Sequence, residues 1–280
     1  GGAYSMSLPG DATLTTAGTH SFDKPIDLRA ATVSGNTIWR NLGAPYVSSG
    51  TVYVYKDTTA ASTLTIEPGV EVRFNQYQAL HVGYSTYKGT LTAQGTATAP
   101  ILFTSNKTPK ARGDWYGLIF HPGAGNGSSL QYATVEYGGL SSYSNVYING
   151  SSPMIANSTL RESGNNGVYV GGAAASLSLQ STTIRDNNGV GLYVAQGTLG
   201  LQSVAVAGTG GAYSMSLPGD AALTTAGTHS FDKPIELRAA TVSGNTIWRN
   251  LGAPYVSSGT VYVYKGTTAA SSLTIEPGVE

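Results

Sequence analysis

Apolar and polar residues alternate in short stretches along the whole chain. Val52-Tyr53-Val54-Tyr55, Leu64-Thr65-Ile66 and Val70-Glu71-Val72-Arg73-Phe74 change sides at every residue, the period of a strand with one buried face. Pro68-Gly69 between the last two is the signature of a type II turn. Ala79-Leu80-His81-Val82, Gly89-Thr90-Leu91-Thr92-Ala93, Ile101-Leu102-Phe103-Thr104 and Trp115-Tyr116-Gly117-Leu118-Ile119-Phe120 read as further strands, with 83–88 and 105–114 as loops between them. In the less regular stretch 9–50, Ile26-Asp27-Leu28 and Thr37-Ile38-Trp39 stand out as strands. No stretch carries helical periodicity, so the chain reads as all-β.

The second half adds a short degenerate period. Leu130–Glu136, Ala156–Glu162, Leu179–Asp186 and Leu201–Val206 align. Each is followed by a Gly/Asn-rich turn and a short strand: Val146-Tyr147-Ile148, Val168-Tyr169-Val170, Leu192-Tyr193-Val194 and Ala212-Tyr213-Ser214. The tyrosines lie 22, 24 and 20 residues apart. None of these segments is long enough to bury its own apolar face, so each needs the next coil as cover. Leu160, Ile184 and Val206 then point inward together, as do Val168, Val170, Leu192 and Val194. Asn165-Asn166-Gly167 and Asn187-Asn188-Gly189 supply corner residues that tolerate left-handed backbone angles. The reading is a right-handed parallel β-helix, a β-solenoid with coils about 4.8 Å apart.

A larger repeat encloses the small one. Residues 1–71 recur as 210–280, matching at 67 of 71 positions; the differences are Thr13/Ala222, Asp27/Glu236, Asp57/Gly266 and Thr63/Ser272. The expected organisation is one full unit of about seven or eight coils over 1–209 and the start of a near-identical unit over 210–280, continuing the same solenoid. The second copy stops at Glu280, inside a run that reads as a strand in the first copy, which suggests a window on a longer tandem array rather than a truncated two-copy protein; the start at Gly1-Gly2 reads as processed, recombinant or simply where the window begins.

Composition narrows the function classes. Only 11% of residues are charged, with 15 Lys+Arg against 15 Asp+Glu. That balance argues against nucleic acid, which asks for a basic face, and against a polybasic membrane-surface role. There is no cysteine, hence no disulfide framework. No apolar run approaches the roughly 18–20 residues of a membrane-spanning helix.

The series Ile38-Trp39, Pro45-Tyr46-Val47, Val52-Tyr53-Val54 and Leu64 to Phe74 resembles secreted bacterial right-handed parallel β-helix repeat proteins of the cell surface. Gly89 to Gly95, Pro100 to Ser105, Gly113 to Phe120 and Leu130 to Gly139 continue the resemblance, which covers most of 38–206. It implies the fold and an exported, cell-surface setting. It does not choose an activity, because that group holds adhesins, surface-layer-like proteins and polysaccharide-degrading enzymes.

The candidate binding feature is a row of outward tyrosines: Tyr147, Tyr169, Tyr193 and Tyr213, with Tyr4 as the copy of Tyr213. Such a row either holds the coils in register or offers a contact strip for glycans or a neighbouring fibre. Glu162 and Asp186 align, as do Glu136, Arg161 and Arg185, which reads as a salt-bridge strip. His20, His81, His121 and His229 lack ligand spacing, and no catalytic, metal or cofactor motif is present. Trp39 and Trp115 read as core. The leading expectation is a structural module of an extracellular fibre or filament whose partner is itself, through end-to-end contacts and, secondarily, lateral ones. The alternative is an adhesin that binds glycans through the tyrosines or the loops 83–88, 105–114 and 139–145; a polysaccharide lyase ranks third.

Overall fold

The computed structural model describes residues 2–15, 20–266 and 269–280. Residues 16–19, within the least regular stretch of sequence, lie outside the described residues, as do Gly1, 267 and 268. The strands wind into a parallel β-solenoid of about 11 turns. A ten-stranded first sheet runs from Met6–Pro9 to Ser230–Phe231, and a ten-stranded second sheet from Ala31–Val33 to Tyr255–Ser257. An eight-stranded third sheet runs from Asn36–Trp39 to Ala222–Ala226. Apart from Met6–Pro9, which pairs with the next strand Ile26–Arg29, each strand in these sheets pairs with the one three places further along the chain. Two short pairs, Ala240–Val242 with Val261–Val263 and Asn245–Trp248 with Ser272–Ile275, close the described structure.

The core is the channel between the three sheets. Leu160, Ile184 and Val206 stack in one column of the first sheet, and Val168, Val170, Leu192 and Val194 in the second, all buried as their alternation requires. Trp115 fills the core face to face with Phe74, ring centres 4.0 Å apart, and its indole N–H donates to the Glu136 carbonyl. Trp39 is likewise buried, donating to the Gly10 carbonyl. The Pro68-Gly69 turn forms as expected: Gly69 takes a φ of 79° and the Val70 N–H donates to the Glu67 carbonyl.

Two corners differ from the sequence reading. The aligned segments such as Leu179–Asp186 are not single strands. Each bends where the third sheet meets the first, at Tyr132, Asn157, Ser181 or Ser203, with φ between 45° and 52°. A second left-handed column, Tyr137, Glu162, Asp186 and Gly208, turns the chain from the first sheet to the second. The Asn-Asn-Gly runs, expected to supply these angles, are not in either column. Their asparagines bridge coils instead: Asn187 Oδ1 accepts from the Ser163 N–H at 2.9 Å, and Asn166 Oδ1 from the Val190 N–H at 3.0 Å. A buried backbone group that turns away from its ladder needs such a partner.

All three sheets cross the boundary between residues 209 and 210. Leu192–Val194 pairs with Met215–Pro218, Thr198–Gln202 with Ala222–Ala226, and Ala205–Ala207 with Ser230–Phe231. From Met6–Pro9 to its copy Met215–Pro218 the chain makes a little more than eight turns, slightly above the seven or eight expected. The surplus comes from 9–50, which holds the strands Ala31–Val33 and Tyr46–Ser48 beside the two read from sequence.

Candidate functional site: an aromatic row and a charge ladder

Alternation in the second sheet sets one row of side chains outward. Thr32, Tyr53, His81, Ile119, Tyr147, Tyr169, Tyr193 and Ser216 are successive ladder partners. Three of the expected tyrosines stand in it. Tyr147 and Tyr169 stack with ring centres 4.5 Å apart and planes 7° from parallel; Tyr169 and Tyr193 follow at 5.8 Å and 8°. The Arg238 guanidinium covers the far face of this stack at 4.4 Å from the Tyr193 ring.

Tyr213 is not the fourth member. The strand begins at Met215, and Ser216 sits opposite Tyr193. The 20-residue spacing places Tyr213 too early: it lies within the turn between Ala205–Ala207 and Met215–Pro218, two residues before the strand begins. Tyr4, its copy, precedes the first-sheet strand Met6–Pro9 and so lies away from the row.

The row extends the other way, which the sequence reading missed. Tyr53 stacks on His81 at 4.7 Å, and His81 on His121 at 5.1 Å, with His81 Nδ1 and His121 Nε2 sharing a hydrogen bond of 2.8 Å. Tyr55, Tyr84 and Tyr87 flank this end, and Tyr116 and Tyr143 lead on to Tyr147. Ile119, between His81 and Tyr147 in the register, is only 1% exposed and lies outside the core cluster. Burial, then the neighbouring His121, pushes His81 down to about 4, and burial lowers His121 also. Both rings are held neutral near pH 7.

This geometry decides what the tyrosine stack can offer. A sugar ring packs on an aromatic face. In Tyr147–Tyr169–Tyr193 the faces are occupied by one another and by Arg238, so ring edges and hydroxyls meet solvent. Exposed tyrosines lie beside the row instead, at Tyr77, Tyr84 and Tyr87.

The carboxylates expected to pair do so. Glu136 is buried and accepts from Thr104 Oγ1 at 2.8 Å, with Arg161 Nη2 at 2.6 Å and Lys110 Nζ at 3.7 Å. Arg185 pairs with Asp186 on its own strand end. Glu162 pairs with Arg112, which reaches across from the 105–114 loop and also donates to Asn188 Oδ1. In the same loop, buried Asp114 accepts from Ser105 Oγ and the Ala111 N–H and pairs with Lys107. Its burial works to raise the carboxyl, but these partners hold it below the usual carboxylate range. Lys110 and Arg112 thus tie the loop to Glu136 and Glu162 at the edge of the first sheet, while Lys107 and Asp114 pair within the loop. Among the described residues no group of three or more His, Asp or Glu is placed to hold a metal ion, and no helix is long and apolar enough to cross a membrane.

A family model described as a pectate-lyase-like β-helix domain matches residues 33–156, less than half of the chain. No curated protein and no solved structure matches it. Family model and structure agree on a β-helix repeat protein.

Proposed function

We propose that the chain is a structural repeat module of a long extracellular, cell-surface fibre, built by stacking β-coils along one axis. One observation carries this reading: the ladders run across the boundary between repeat copies with no cap, as in Tyr193 opposite Ser216 and Leu201 opposite Thr225. An exposed strand edge is a template for pairing, which proteins otherwise block or cap. Here the next unit itself supplies the cover. Burial in this fold draws on the neighbouring coils: Val54, between Val33 and Val82 in its ladder, is 0% exposed.

The reading assigns no reaction. Of the three buried carboxylates among the described residues, Glu136 and Asp114 are engaged by hydroxyl, amide and cationic partners, and Asp27 accepts from Ser7 Oγ with no second carboxylate or histidine placed against it to make a catalytic pair. Turnover of an acidic polysaccharide by the chain would count against the proposal. A second reading, an adhesin that grips glycans, draws on exposed Tyr84 and Tyr87 in the loop 83–88; glycan-array binding abolished by Y84A/Y87A would favour it.

The test is a chain carrying the 209-residue unit two, three and four times, imaged by electron microscopy. The proposal expects straight rods that lengthen by about 40 Å per added unit at one coil per 4.8 Å. Beads on slack tethers would refute it.

A further inference from the structure

The two copies of the repeat fold alike but stand on different faces. In the first copy, Met6–Pro9, Ile26–Arg29 and Tyr46–Ser48 pair in succession in the first sheet. Their copies Met215–Pro218, Ile235–Arg238 and Tyr255–Ser257 pair in the same succession and register, but in the second sheet. Met6 opposite Ile26 becomes Met215 opposite Ile235. The same internal pairing has moved one face around the solenoid.

The cause is a count. Met6–Pro9 opens the first sheet, Ala205–Ala207 is its ninth strand, and Met215–Pro218 is the next strand along the chain. One unit therefore makes eight and one-third turns. Put another way, eight and one-third turns of a three-faced coil pass twenty-five faces. Twenty-five is not a multiple of three, so a unit cannot begin on the face where the previous one began.

We infer that a tandem array of this unit is a threefold screw, each unit turned by one-third of a revolution relative to the last. This rests on the fibre reading for the existence of the array, although the phase step itself is already present in the chain. Every outward feature of a unit then recurs one face further on, about 40 Å along the axis, and returns to its own face only after three units and twenty-five whole turns, about 120 Å. The row Tyr53–His81–Tyr147–Tyr169–Tyr193 occupies the second face of the first unit, so its copies occupy the third face and then the first. The array shows this row on all three sides, and a second fibre of the same chain that packs against it meets it from three directions. A unit of whole turns would confine the row to a single side.

The phase can be read from the present chain, which has no cysteine of its own. Gln202 and Ala226 are exposed ladder partners across the copy boundary. Nitroxides on Q202C and A226C sit on adjacent coils, and the spectrum is expected to show the strong spin–spin broadening of labels within about 10 Å, roughly two coil spacings. A second pair, T198C with A222C, sits in the same ladder and gives the same result. Folded protein without broadening in either pair overturns the phase. In rods of three or more units, an axial repeat of about 120 Å supports the screw, and a repeat of about 40 Å overturns it while leaving the fibre reading intact. Failure to form rods at all overturns the fibre reading, and with it the array on which the screw depends.

Discussion

The Arg238 guanidinium lies 4.4 Å from the centre of the Tyr193 ring, so a residue of the second repeat copy closes a tyrosine stack built by the first. Arg238 also donates to the Val194 carbonyl and to Ser216 Oγ. Its counterpart in the first copy, Arg29, is exposed at its strand end. The same sequence position thus acts differently because the second copy stands on another face. R238A is expected to cost about 1–2 kcal/mol, from a cation–π contact and hydrogen bonds to a charged group. Thermal melting and amide exchange at Leu192–Val194 measure it; unchanged protection there would contradict the assigned role.

Tyr169 is stacked on both sides. Y169A removes both contacts and is expected to destabilise by about 1–3 kcal/mol, counting about 0.5–1.5 kcal/mol for each aromatic pair. Y169F keeps the rings and should remain within about 0.5 kcal/mol of the parent, as a change that leaves the stack intact. Urea unfolding of the two variants separates a register-holding role from one that depends on the hydroxyl. Equal losses would contradict the stacking account.

Ser181 turns the third sheet into the first with a φ of 45°. S181V places a β-branched side chain in the left-handed region and is expected to cost about 1–2 kcal/mol. S181G relieves the angle while loosening the unfolded chain, and its net effect should be under about 1 kcal/mol. A chemical-denaturation midpoint for S181V equal to that of S181G would remove the corner from the account.

Acid should weaken the fold through the His81–His121 pair. The His81 value in the folded state, about 4, lies below the ordinary 6.5, so the unfolded chain binds more protons between the two. The contribution is complete above about pH 6.5 and is lost as the pH falls toward 4, on the order of 3 kcal/mol for that interval. Melting temperature followed from pH 7.5 to 4 checks the sign, and in H81F/H121F the slope in this window should flatten.

Much of the architecture is legible in the sequence, because alternation at Leu160, Ile184, Val206, Val168 and Leu192 fixes which face is buried whatever lies between the strands. The corners are not. Tyr132, Asn157, Ser181 and Ser203 take left-handed angles that glycine normally marks, so strands of the third sheet merge in sequence with those of the first. The aromatic row is half legible: Tyr147, Tyr169 and Tyr193 recur at similar spacing. Tyr53 and His81 are separated from them by loops of unequal length, and only the ladder register reveals that they share a row. Tyr213 fails for the reverse reason, because a regular spacing from Tyr193 does not ensure a common register.

The central claim is that the winding passes from one repeat copy into the next without a break. Native-state hydrogen exchange, read at Leu192 and Val194, Met215 and Leu217, and Ile235 and Leu237, addresses it most directly. These amides belong to three adjacent strands of one sheet, on either side of residue 210. The account predicts that all three strands open together, with similar free energies. A sharp step in protection between Val194 and Met215, with the two sides opening independently, would contradict it.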